Sequence, residues 1–402
     1  MLLELLNLPE LSIEKSVIKG THLRIFAVSN QQTRNCTRCG CECDKVNQKT
    51  YREIKDLPIS ELTVQITLRV RVFKCLKCAK TFAETFDFVH PRQRLTIRYE
   101  KSVYKRLKGS DLTAIMQQEE LGWKTLQNIL RHYFPKTVDM QSKFDNVKSI
   151  GIDEIALHKG HRDFVIVIVD LDTGDLLDIL PFRTKAELKA YFEEKGSDFC
   201  AKIENFAADF WEGYHNVAKE VLPNATRIGD RFHFMSQIQD ALDAARKAAR
   251  IAEETKKLPL LLRLKYILLK NPKKLKPKQK EQLAALRKEP LLAGLVAIYD
   301  LKNEFHNLFN RKIKGKQAEK AFDEWIDKVK AQKNDNLTKM LAFFTTWRTT
   351  VLNYFQNRYS TGKVEGTNNK LKMIKRKAFG FDNFDNFRIK CLFECNYRPF
   401  TS

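Results

Sequence analysis

The chain has 402 residues, 43% of them hydrophobic, so it is long enough for two or three packed domains and too apolar for a disordered tail. Lysine and arginine number 72 against 49 acids, and the net charge of +23 draws polyanions, nucleic acid ahead of anionic membrane. No long apolar run suits a membrane span, and the opening Met1-Leu2-Leu3-Glu4-Leu5-Leu6 lacks the basic head of a secretory signal. Nine cysteines, an odd number, fit reduced thiols in a cytoplasmic protein better than a disulfide framework.

In chain order, residues 1–90 read as a β-rich module. Leu62 to Val72 alternates apolar and polar side chains, the period of a strand. Around it stand Cys36-x-x-Cys39 and Cys75-x-x-Cys78, two thiolate knuckles that together supply the four ligands of one structural zinc ion. A thin β core benefits from such a staple. Cys41 and Cys43 lie close enough in sequence to replace Cys39, and spacing alone leaves that open. The flanking Arg34, Arg38, Lys74, Lys77 and Lys80 either touch phosphate or are solvated.

Residues 91–146 change to helical periodicity after Pro91. Ser110 is positioned to cap a short helix through Gln118, and Gly122 to turn the chain. A second helix, from Trp123 to about Tyr133, is expected to stop before Pro135. On it Leu126, Ile129, Leu130 and Tyr133 share one face, whereas Lys124, Gln127, Asn128 and Arg131 share another. The short helix, turn and polar face predict a helix-turn-helix that reads DNA with those four side chains. An ordinary amphipathic helix has the same periodicity.

From residue 147 the texture is that of strands: 147–153, 164–170 and 176–180, the last two joined by a turn at Asp172-Thr173-Gly174-Asp175. A helix over 184–194 follows, then a strand ending at Asp209, a helix over 214–221, and a strand over 226–229. The order β-β-β-α-β-α-β predicts a mixed sheet of the α/β ribonuclease-H-like fold, with its first and fourth strands adjacent. Three carboxylates then stand out. Asp153 closes the run Ser149-Ile150-Gly151-Ile152, Asp209 closes residues 203–208, and Glu365 lies in a helix-like segment rich in lysine and arginine. Gathered together, they form a cradle for two Mg²⁺ or Mn²⁺ ions about 3.5–4 Å apart, the arrangement that cleaves phosphodiesters.

The segments Ile152-Asp153-Glu154, Ala208-Asp209-Phe210-Trp211-Glu212-Gly213-Tyr214, Leu222-Pro223-Asn224-Ala225, Asp230-Arg231-Phe232-His233 and Val364-Glu365-Gly366-Thr367-Asn368 carry a resemblance. Along nearly the whole chain, the sequence resembles the DDE transposases of the ISL3 insertion-sequence family. That resemblance implies a metal-binding triad of Asp153, Asp209 and Glu365. Asp230-x-x-His233 is similar to the Asp/Cys-x-x-His signature that lies near the active centre in related transposases. It further implies binding to terminal inverted repeats, cleavage of the element ends, and joining of the 3′-hydroxyls to target DNA. The implied protein is a homodimer working at the bacterial nucleoid, with no membrane partner. Two rivals share these features: a transposase-derived DNA-binding regulator that does not cut, and a structure-specific nuclease that does not join.

Residues 236–350 are rich in Ala, Leu and Lys. Within them, 261–290 hold ten Lys or Arg against two Glu, and Asn271-Pro272 to Pro277 breaks the helical pattern. The segment is expected to be a basic helical insertion that splits the catalytic core into residues 147–235 and 351–402. Near Glu365, Lys372, Lys375 and Arg376 are candidate DNA contacts, and helical spacing sets Asn368 and Asn369 on the acid's side. Cys391 and Cys395, one turn apart, fit packing. Trp211 and Tyr214 fit core aromatics better than base-stacking ones.

Overall fold

The computed structural model describes residues 6–158, 163–252, 264–359, 362–378, 381 and 383–399. The chain divides into two compact units, one of residues 1–138 with 397–402, the other of residues 139–396.

The first unit begins with β1 (Leu11–Lys19), β2 (His22–Ser29), the short β3 (Arg34–Asn35) and β4 (Glu42–Cys43), then β5 (Val46–Ile59), β6 (Leu62–Lys74) and β7 (Thr81–Ala83). The main sheet runs β1-β2-β6-β5, with β7 also on β6 and the β2–β6 pair parallel. The alternation expected in β6 is realised: Val64, Ile66, Leu68 and Val70 are buried with Leu23, Ile25, Ala27 and Ile54. Each such side chain contributes about 1.5–3 kcal/mol relative to exposure. Three helices follow, α1 (Ile97–Leu107), α2 (Leu112–Glu119) and α3 (Trp123–Thr137).

Three details differ from expectation. Asp111, not Ser110, caps α2 by accepting from the Ala114 amide at 2.6 Å. The carboxylate also complements the helix dipole better than a hydroxyl does. Glu120, not Gly122, takes the left-handed position (φ +51°), and Gly122 is the extended N-cap of α3. α3 also runs past Pro135 to Thr137. The proline lies in the last turn, where the Thr137 hydroxyl bonds back to the carbonyls of Tyr133 and Phe134.

The second unit opens with α4 (Met140–Asp145), β8 (Ser149–Ala156), β9 (Phe164–Asp170) and β10 (Leu176–Leu180). It continues with α5 (Lys185–Lys195), α6 (Ser197–Lys202), β11 (Asn205–Ala208), α7 (Glu212–Val221) and β12 (Thr226–Gly229). The strand order is β10-β9-β8-β11-β12, antiparallel through the first three and parallel through the last three. β8 is longer than its apolar run suggests. β9 goes on pairing with it from Asp153 to Ala156, although β11 pairs only from Ser149 to Gly151. One face of β8 and β9 buries Ile150, Ile152, Ile166 and Ile168 with Leu188, Phe192, Tyr214 and Val217.

After β12 the chain is helical: α8 (Arg231–Ile251), α9 (Lys265–Leu268), α10 (Pro277–Arg287), α11 (Ala293–Asn310), α12 (Gly315–Ala331), α13 (Thr338–Thr346), α14 (Arg348–Asn357), α15 (Gly362–Lys377) and α16 (Phe384–Asn396). Residues 253–263, part of the basic stretch, lie outside the described residues. The break foreseen at Asn271 is a capped 3₁₀ turn, with Pro277 at the first position of α10. The helices meet through aromatic rings, Phe305–Trp325 at 4.3 Å and Phe309–Phe355 at 4.6 Å. They return to the sheet where Asn353 donates to the Arg227 carbonyl at 2.9 Å. On α16, Arg388 grips Asp178 with two bonds of 2.6 and 2.8 Å, and Cys391 is fully buried. No described helix is long and apolar enough to cross a membrane.

Candidate functional site

The first unit holds four thiols in a tight group. Cys36 and Cys78 approach to 3.6 Å, Cys39 and Cys75 to 3.5 Å, and all four sulfurs lie within 4.8 Å of one another. Tetrahedral zinc with bonds of about 2.3 Å needs sulfurs about 3.8 Å apart, so the donor set fits that ion. The knuckles are built alike. In each, the residue after the second cysteine is left-handed, Gly40 at φ +72° and Ala79 at φ +60°. Amide N–H groups point at the sulfurs: the Cys78 amide leads in pulling the Cys75 thiol down to about 6, and the Arg38 amide leads for Cys36. At about 6 the Cys75 sulfur favours the thiolate, the form that binds metal. Cys41 and Cys43 fall outside the quartet, and the buried Cys43 thiol faces the Cys41 carbonyl. Arg34 pairs with the buried Glu84 at 3.6 Å.

On α3 the two faces separate as their spacing implies. Leu126, Ile129, Leu130 and Tyr133 are buried; Lys124, Asn128 and Arg131 are exposed and Gln127 half-buried.

In the second unit the strand register sets up a row of acids. β11 pairs with β8 at an offset of 56 (205 − 149) and with β12 at an offset of 21 (226 − 205). Continued past the last paired residues, those offsets align Asp209 with Asp153 and with Asp230. The Asp230 amide bonds to the Ala208 carbonyl at 3.0 Å, which carries the alignment to that point. The register thus sets three aspartates in a row where β11 and β12 end and where β8 leaves its parallel pairing with β11, the region where open α/β sheets place their ligands. Burial raises the Asp153 carboxyl, the nearby Asp209 and Asp230 charges raise it further, and His233 opposes them. His233 lies 3.9 Å from Asp230, which also caps α8 through the Phe232 amide. Phe210, behind Asp209, lies so close to Gly229 that a methyl group there would meet its ring at 2.2 Å.

Glu365 arrives on α15, which lies against the β8 face that carries Gly151 and Asp153. A side chain at Gly151 would meet Val364 at 2.6 Å, so the missing methyl is what lets the helix approach. Asn368 on α15 donates to Asp153 at 2.8 Å, and Lys375 to the Ala156 carbonyl at 2.7 Å. Glu365 itself is exposed. Among the described residues only the cysteines bring three or more ligand atoms within 4.8 Å, so the three carboxylates expected as one cradle stand wider apart. The basic residues around Glu365 divide. Lys363, Lys370 and Lys375 donate to backbone carbonyls, while Lys372 and Arg376 are exposed.

Sequence reasoning misplaced Asn368, gave Glu154 no separate role and passed over His215. Asn368 turns inward, although spacing set it beside the exposed Glu365. Its signal was its place in the repeat of Val364, Leu371 and Ile374, all buried. His215 is buried beneath Asp209, donating Nε2–H to its carbonyl at 2.8 Å, and burial brings it down to about 4. Glu154 points to the other face of β8, held by Arg183 and by the buried Tyr214 hydroxyl. Strand parity separates it from Asp153. Tyr214 is thus a core aromatic, as expected; Trp211 is partly buried under Arg183.

A family model described as "Transposase", of the DDE ISL3 type, matches residues 150–391. A second, for the helix-turn-helix domain of transposase family ISL3, matches residues 84–133. The chain is 26% identical, over 92% of its length and 91% of the relative's, to the transposase for insertion sequence element IS1001 of Bordetella parapertussis. It is 28% identical to the transposase for insertion sequence element IS1557 of Mycobacterium tuberculosis, over 67% of this chain and 65% of that one.

Proposed function

Because this chain belongs to the ISL3 family of DDE transposases, we propose that it binds the terminal inverted repeats of its own element, cleaves there, and joins the freed 3′-hydroxyls to target DNA. The observation that carries this reading is the row of Asp153, Asp209 and Asp230, with the Glu365 helix bonded to the first of them. The strand order of the second unit supports a ribonuclease-H-like core interrupted by the helical insertion.

Asp153, Asp209 and Glu365 are the residues that would hold two Mg²⁺ or Mn²⁺ ions, whose chemistry is to activate the attacking oxygen and neutralise the leaving one. Asp153 is held by the Glu154 amide and Asn368, and Asp209 by the Trp211 amide. Asp230 and His233 shape the charge around them. Glu365, exposed on α15, would supply the third carboxylate, and the exposed Lys372 and Arg376 would offer positive charge to a phosphate there. The quartet Cys36, Cys39, Cys75 and Cys78 holds one structural zinc. α3 reads the repeat through Lys124, Gln127, Asn128 and Arg131. Two element ends must be cut together, which calls for a homodimer acting on nucleoid DNA in the bacterial cytoplasm.

The test mixes protein, Mg²⁺, a labelled duplex bearing the element end, and plasmid. Joined product is expected, and Asp153→Ala should bind the end without cutting it. Cut ends that never join identify a nuclease, and binding with no cleavage identifies a regulator. Either result sinks the transposase reading.

A further inference from the structure

α15 carries two unlike groups one turn apart. Glu365 is exposed and makes no polar contact among the described residues. Asn368 is 2% exposed, and its side chain makes a single hydrogen bond, from Nδ2 to Asp153 Oδ2 at 2.8 Å. The other Asp153 oxygen, Oδ1, accepts from the Glu154 amide at 2.7 Å. One donor on each oxygen fixes the plane of that carboxylate. The Asn368 carbonyl oxygen, meanwhile, is buried without a partner among the described residues.

An amide with one half unpaired is a poor packing group, since an apolar side chain of similar size fills such a place without the desolvation cost. The residue therefore serves something other than stability, and its one bond names what that is. The bond also ties Asp153 to the helix that carries Glu365, across 215 positions of sequence (368 − 153). The other attachments of α15 to the sheet unit, Val364 over Gly151 and Lys375 on Ala156, lie to either side of it.

We propose that Asn368 is a positioning residue for the metal centre: it holds the Asp153 carboxylate in its ligating orientation and keeps the Glu365 helix in register with it. The inference rests on the proposed roles of Asp153 and Glu365. Groups that orient metal ligands from behind typically govern affinity about 10–100-fold when removed.

The experiment measures Mn²⁺ binding to the zinc-loaded full chain by electron paramagnetic resonance, with thermal melting alongside. Asn368→Leu should weaken Mn²⁺ binding at least about tenfold, raise the Mg²⁺ needed for half-maximal end cleavage by a similar factor, and leave the melting temperature unchanged or higher. Asn368→Gln, which keeps the amide, should recover part of the affinity. Unchanged Mn²⁺ affinity in Asn368→Leu overturns the proposal, and so does a loss of affinity that merely follows a lowered melting temperature. If Asn368→Leu fails to fold, Asn368→Gln is judged by the same two readouts. Asp153→Asn separates the two levels of inference. If it binds Mn²⁺ like the wild type, the proposed metal role of Asp153 falls. If it loses Mn²⁺ while Asn368→Leu does not, only the role of Asn368 falls.

Discussion

The two candidate metal centres are assembled in opposite ways. The cysteine quartet comes from two local turns of the same shape, its sulfurs already at ion-binding separation. The acid row comes from one strand interior, two strand ends and a helix spread over 212 residues (365 − 153), and its last member stands in solvent. A centre whose task is to hold a fold together gains from closure. One whose task is to engage a phosphodiester must keep coordination positions open for it. Preassembly here is therefore a sign of structure, and incompleteness a sign of chemistry.

That contrast can be broken by exchanging its consequences. The largest expected effect is on cleavage: Asp209→Asn or Glu365→Gln should slow cutting of the element end by about a thousandfold or more, as several kcal/mol of metal-derived stabilisation are lost. Zinc content and melting of the first unit should not change, as read by metal analysis and circular dichroism. Next, Cys36→Ser or Cys75→Ser should abolish zinc binding and unfold the quartet region, because structural zinc contributes on the order of 10 kcal/mol at neutral pH. A protein with undiminished zinc would remove the quartet from that role.

A smaller effect sharpens the comparison through pH. His215 lies near 4 in the fold against 6.5 when exposed, because burial disfavours its charge. Unfolding therefore takes up a proton between those values. The stability contribution is whole above about pH 6.5 and is lost as pH falls toward 4. In His215→Phe that loss should disappear from thermal melts, although the variant should melt lower at pH 7 because the Asp209 carbonyl loses its donor. The smallest effect is on DNA. Arg131→Ala should weaken end binding and reduce the slope of affinity against salt by about one contact's worth, leaving cleavage of bound DNA intact.

Much of this was legible in the residues. β9, β10 and β12 have the bounds their apolar runs imply, and the buried face of α3 is the one its period selects. The row of acids was half legible: Asp153 and Asp209 follow apolar runs, but Asp230 earns equal rank only once the β11–β12 offset is known. Polar residues inside a strand, such as Glu154, hide its true end, because antiparallel pairing rather than hydrophobicity carries β8 to Ala156. The burial of Asn368 was legible from its place in the repeat of Val364, Leu371 and Ile374, but its bond to Asp153 and the close approach of Val364 to Gly151 were not, since those partners lie more than 200 positions away.

Glu365 belongs to the last tenth of the polypeptide, 135 residues after Asp230 (365 − 230). At bacterial translation rates of about 5–20 residues per second, a ribosome needs roughly 7–27 seconds to cross that interval. During that time the nascent chain already carries the four cysteines, α3 and its three aspartates, yet lacks the final acid. On the proposed reading, a product of termination before residue 365 keeps α3 but lacks the final acid, and it is expected to occupy element ends without cutting them.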